Sequence, residues 1–87
     1  MKFTKSTAQW NIYTSDNGVR MYENNNWTVS YTGERTIEVS GYTHGEYVHI
    51  TDDNKLLFDF PERIPAYVLN ACYAVLKDIV KYNAFTK

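Results

Sequence analysis

The stretch that decides the fold is IPAYVLNACYAVLKDIVKYN, residues 64–83. Ile64, Val68, Leu69, Cys72, Val75, Leu76, Ile79 and Val80 recur at spacings of three and four. At 3.6 residues per turn that spacing places them on one stripe of an amphipathic helix. Tyr67, Asn70, Ala74, Lys77, Asp78 and Lys81 fall on the opposite side. Pro65 suits the first turn, where a missing N–H costs nothing, Glu62 favours the positive end of the helix dipole, and Lys77 and Lys81 lie near its negative end. An apolar stripe this long must be covered, so the residues before it are expected to form the covering surface.

Those residues alternate with a period of two. Trp10 and Ile12 oppose Asn11 and Tyr13, and Val19 and Met21 are expected inward with Arg20 and Tyr22 outward. Trp27, Val29 and Tyr31 alternate with Thr28, Ser30 and Thr32, and Ile37 and Val39 with Thr36, Glu38 and Ser40. Asp16-Asn17-Gly18, Asn24-Asn25-Asn26, Gly33-Glu34, His44-Gly45 and Asp52-Asp53-Asn54 punctuate the runs as turns, and Asn17-Gly18 predicts a type I′ hairpin. Gly41 marks a bulge or a bend. Leu56 to Phe60 is apolar at nearly every position, as a central or doubly covered strand would be, and Pro61 ends it. The expected fold is α+β: an antiparallel β-meander of about six strands packed on one C-terminal amphipathic helix. Residues 1–87 form a single domain, with 1–7 a loose N-terminal arm or short edge strand, 8–60 the sheet and 64–83 the helix.

Composition narrows the function classes. Ten acidic against nine basic residues remove the broad basic field of a protein held to nucleic acid by phosphate neutralisation. The charge is uneven: Glu34 to Glu62 holds seven acids and two bases, net −5, while the preceding part is +1 and the following part +3. One cysteine makes no internal disulfide, no apolar run follows the basic start as in a signal peptide, and none approaches the ~20 residues of a membrane span. A reducing, cytoplasmic location is expected, with no membrane contact, and the Asn26-Trp27-Thr28 sequon then has no use.

No catalytic or cofactor motif appears. His44, Glu46 and His49 are of metal-ligating type, but positions 46 and 49 of a strand face opposite ways, so no metal is expected. Asp52-Asp53-Asn54 opens like a calcium loop and lacks its glycine and terminal glutamate, since Leu57 and Arg63 stand there. Glu38, Glu46 and Asp59 offer carboxylates without a marked cleft, and Cys72 lies on the apolar stripe rather than beside a base. The chain is read as non-enzymatic and without cofactors.

Eight tyrosines and an acidic middle segment favour a protein-binding surface, because tyrosine is a rigid anchor and carboxylates can occupy positions that phosphates would take on a basic partner. The candidate partner-binding residues are Tyr13, Tyr22, Glu46, Tyr47, Asp52, Asp53, Asp59 and Glu62. The expected partner is a protein, a basic nucleic-acid-handling complex being the best fit, with no direct nucleic acid. In size, AT-biased composition and charge pattern the chain resembles the small proteins, anti-CRISPR proteins among them, that phages and mobile elements encode against host defence complexes. The resemblance implies an inhibitor acting inside the host cell, and it carries no individual residue. A self-association module pairing through its sheet as a homodimer is the alternative, and an aromatic nucleic-acid-binding sheet the third reading.

Overall fold

In the computed structural model, which describes residues 1–85, the chain is a seven-stranded antiparallel sheet followed by one helix. The strands are β1 (Lys2–Ser6), β2 (Asn11–Thr14), β3 (Arg20–Glu23), β4 (Trp27–Gly33), β5 (Thr36–Gly41), β6 (Gly45–Ile50) and β7 (Leu56–Leu57), and each pairs with its neighbour in sequence. One turn of 3-10 helix, Pro61–Arg63, leads into α1 (Ala66–Lys81). The meander follows from the short polar turns, which return each strand beside the one just made. The helix lies against β3, β4 and β5. A sheet covered on one side gives a flat molecule, 31 × 29 × 15 Å.

The core is the contact between the helix stripe and the inward faces of the strands. Val68, Cys72, Val75 and Ile79 meet Val29, Ile37, Val39 and Val48, all fully buried. Trp10 and Tyr22 pack edge to face with ring centroids 5.7 Å apart and close one end of this layer. Trp27 lies across Gly41, its partner in the β4–β5 register, and a Cβ at Gly41 would stand 2.5 Å from the indole ring. The glycine expected to bend the strand thus serves instead to admit the ring.

Several sequence expectations are corrected by register. Of the two readings of the first residues, the edge strand is the one found and the loose arm is not: residues 2–6 pair with β2 through a bulge between Phe3 and Lys5. The Asn17-Gly18 hairpin is not type I′: Gly18 alone has positive φ, +93°, and the five-residue loop closes through Gly18 N–H to Ser15 C=O at 3.0 Å and Ser15 N–H to Val19 C=O at 2.9 Å. Val19 therefore belongs to the loop, Ile12 pairs with Tyr22, and the parity of β3 is inverted. Tyr22 points inward and is 7 % exposed, and Arg20 also faces the helix. The consecutive left-handed residues occur at Glu34 and Arg35 instead. The run at Leu56 is a two-residue edge strand and not a central one, with Leu57 and Phe60 exposed.

On the helix, Asp78 faces the sheet and Val80 faces water, the reverse of the periodic expectation. Asp78 is tolerated there because Arg20 meets it with two side-chain bonds, Nε to Oδ2 at 2.7 Å and Nη2 to Oδ1 at 2.9 Å, while the Arg20 backbone N–H donates to Oδ2 at 3.1 Å. Such a paired and hydrogen-bonded carboxylate escapes most of the cost of burial, and the bond to Asp78 holds the Arg20 guanidinium above its ordinary value despite desolvation. Val80 is 44 % exposed.

Gly18→Ala tests the corrected loop. The added methyl would meet the Tyr82 ring at 2.9 Å and sit on a backbone that L-residues avoid. A loss of about 1–3 kcal/mol in urea unfolding is expected, and unchanged stability would show that Gly18 is neither left-handed nor packed on the Tyr82 ring.

Candidate functional site

The polar centre of the molecule is built on Glu46. Alternation along β6 puts Glu46, Val48 and Ile50 on the helix side and Tyr47 and His49 on the outer side. Glu46 is 8 % exposed, and its carboxylate is fully engaged. His44 Nε2 donates to Oε1 at 2.8 Å, the Asp59 backbone N–H to Oε2 at 2.8 Å and the Phe60 backbone N–H to Oε1 at 3.1 Å. Burial pushes the Glu46 carboxyl upward, but the bonds from His44, Asp59 and Phe60 outweigh it and hold the group below its ordinary value. The His44 ring stands edge-on to Phe60 with centroids 6.0 Å apart, and the Arg63 guanidinium lies over Phe60 at 5.2 Å. Glu46 is therefore a staple that ties Asp59 and Phe60 to the sheet, and it is not available to a partner's surface.

A second clamp stands at the other end of β6. Arg35 Nε donates to the Ile50 carbonyl at 3.1 Å and Nη2 to Asn54 Oδ1 at 3.1 Å and to the Thr51 carbonyl, while its guanidinium covers the Phe85 ring at 4.2 Å. The left-handed backbone at Arg35 aims the side chain along this path.

Burial pushes the Cys72 thiol up to about 12, so it is a small core residue with no thiolate to offer. Among the described residues no three of His, Cys, Asp and Glu converge on a point that could hold a metal ion. His44 and Glu46 are adjacent, but His49 projects from the opposite face.

The remaining candidates do not form one patch. Tyr13 and Tyr47 share the outer face but stand on β2 and β6, four strands apart, roughly 19 Å at about 4.8 Å per strand. Asp52 and Asp53 are exposed in the β6–β7 turn, whereas Asp59 and Glu62 are exposed at the opposite end of β6. The acidic segment is thus split by the length of β6, roughly 17 Å at about 3.4 Å per residue. Tyr22 is interior, where burial raises its phenol above the ordinary value.

What the sheet does present is a wide uncovered face. The register places Phe3, Tyr13, Met21, Glu23, Ser30, Glu38, Tyr47, His49 and Leu57 on the side away from α1. Phe3 and Tyr13 pack edge to face at 5.5 Å, and Tyr47, 55 % exposed, stands directly opposite Glu38 on the neighbouring strand. The strand residues paired on this face include two glutamates and no lysine or arginine. Phe3, Met21 and Leu57 were not singled out from sequence. The first sits in the stretch read as a loose arm or short edge strand, the second on a strand whose parity is inverted, and the third in a strand expected to be covered.

No helix among the described residues is long and apolar enough to cross a membrane. Comparisons with protein-family models, with curated proteins and with solved structures returned no match.

Proposed function

We propose that this chain is a non-enzymatic protein-binding module that offers its uncovered sheet face to a basic protein, and that it serves a phage or mobile element as an inhibitor of a host nucleic-acid-processing or defence complex. The observation that carries this reading is the outer face itself, with Phe3, Tyr47 and Leu57 exposed among Glu23 and Glu38 and without a cation. An exposed apolar surface rimmed by one sign of charge fits a partner of the opposite sign. Nucleic acid is disfavoured on the same face, because Glu23 and Glu38 would repel phosphate. Pairing through the sheet edges is disfavoured as well: β1 is bulged and carries Lys2 and Lys5, and β7 is two residues long and followed by Pro61, all devices that blunt an edge. The chemistry on the helix side is structural, since Glu46 and Asp78 are saturated with hydrogen bonds.

The test is capture from lysate of a low-GC bacterium by the wild type and by a Glu38→Lys/Tyr47→Lys variant, read by mass spectrometry. Both side chains point to solvent, so the variant should keep its circular dichroism spectrum. The wild type should recover a basic nucleic-acid-handling protein, and the variant should bind it at least about thirtyfold more weakly, the size of one hot spot. Equal recovery by a folded variant would remove the sheet face from the reading.

A further inference from the structure

We propose that the solvent side of α1 is a docking site for an acidic amphipathic helix of a partner protein, a second surface opposite in charge to the sheet face. Beside α1 lies a trough of about 590 Å³ lined by Tyr73, Leu76 and Val80, by Lys77 and Lys81, and by Asn54 of the β6–β7 turn. Tyr73 is 52 % and Val80 44 % exposed, and they stand about two turns apart. Exposed apolar groups gathered in a concavity mark an interaction site.

The lining decides the sign of the occupant. The one acid of α1, Asp78, is buried against Arg20, so the exposed charges of the helix are Lys77 and Lys81 alone. Neither forms an ion pair among the described residues, and Lys81 Nζ rests over the Tyr82 ring at 5.3 Å, which holds it in place without neutralising it. Their position near the C-terminal end suits the helix dipole, but the dipole gives no reason for Tyr73 and Val80 to stand in water. The β6–β7 turn also carries Asp52, Asp53 and Lys55, none of which lines the trough, and the Asp53 carboxylate is taken by the Thr51 hydroxyl. Lys77 and Lys81 are one turn apart, roughly 6 Å along the axis, which is the spacing of carboxylates at positions i and i+4 of a partner helix. A helix with apolar residues beside such carboxylates covers the floor and neutralises the lysines in one contact, as in helix-in-groove recognition. A basic segment is repelled here, and a second copy of this chain offers only a lysine-bearing helix.

The probe is a fluorescent synthetic helix of about 15 residues, with leucine along one side and glutamates one turn apart beside it, and its counterpart has lysine for every glutamate. Fluorescence anisotropy should give a Kd below about 100 μM for the acidic helix and binding at least about thirtyfold weaker for the basic one. Lys77→Glu/Lys81→Glu should reverse that preference. Val80→Asn, at a position already in water, should weaken the acidic helix about tenfold with an unchanged circular dichroism spectrum. The Glu38→Lys/Tyr47→Lys variant should bind the acidic helix at least as well as the wild type, which separates this surface from the sheet face. No binding of the acidic helix up to about 1 mM overturns the proposal. So does a Lys77→Glu/Lys81→Glu protein that keeps the wild-type preference, a Val80→Asn protein that keeps full affinity, or a loss of binding in the sheet-face variant. Equal affinity for a single-stranded oligonucleotide also overturns it, since the lysines would then serve phosphate.

Discussion

Val75→Asp should leave no folded protein at room temperature. Val75 is fully buried in the middle of the stripe that meets Val29, Ile37 and Val39, and no cation lies among these core neighbours. An unpaired carboxylate in that layer costs several kcal/mol even after it takes up a proton, and the valine's own burial is lost as well. A domain of this size holds a margin of the same order. Far-UV circular dichroism and the disappearance of a cooperative urea transition are the readouts. Asp78, on the same helix and also buried, shows why the position matters more than the residue type. Its carboxylate has Arg20 within bonding distance, and a carboxylate at Val75 would have none. A cooperative transition retained by Val75→Asp would mean that α1 does not pack as described.

Glu46→Ala should cost about 3 kcal/mol, because it removes a carboxylate that accepts from two backbone N–H groups and one imidazole and leaves those donors without a partner. Hydrogen exchange locates the damage: the Asp59 and Phe60 amides should lose protection before the amides of β4 and β5 do. The same carboxylate makes stability pH-dependent with a definite sign. Its folded-state value lies below the ordinary 4.5, so its contribution is complete above about 4.5 and drains away as pH falls through the lower folded value. The difference in urea midpoint between wild type and Glu46→Gln should therefore be retained above about 4.5 and narrow below it. A difference that does not narrow below about 4.5 would show that Glu46 is not held as an anion.

The helix, the meander and most of the core were legible because they rest on periodicity alone. Val29, Ile37, Val39 and Val48 announce their facing by alternation, and Val68, Cys72, Val75 and Ile79 by helical spacing. Glu46 was legible on the same grounds, since it shares parity with Val48 and Ile50, but its charge argued for the surface and the charge was given more weight. Tyr22 and Arg20 were not legible. Their facing depends on whether Val19 belongs to a turn or to a strand, a one-residue difference that inverts every side chain after it. Asp78 was hidden for a related reason, because its burial is permitted only by Arg20, fifty-eight residues away in sequence. The candidate surface suffered most. Acidic residues contiguous in sequence were assumed contiguous in space, and β6 separates Asp52 and Asp53 from Asp59 and Glu62.

The strand order β1 to β7 with α1 last also governs how the molecule is made. During synthesis each strand can pair with the one already emerged, so the sheet grows by local steps with little chain to close. Its apolar side, with Val29, Ile37, Val39 and Val48, nevertheless has no cover until the helix residues Val68 to Ile79 have left the ribosome. The half-made chain is thus a sticky sheet, and a premature stop anywhere between β6 and the end of α1 would yield a species destined for aggregation or proteolysis rather than a weakened version of the protein.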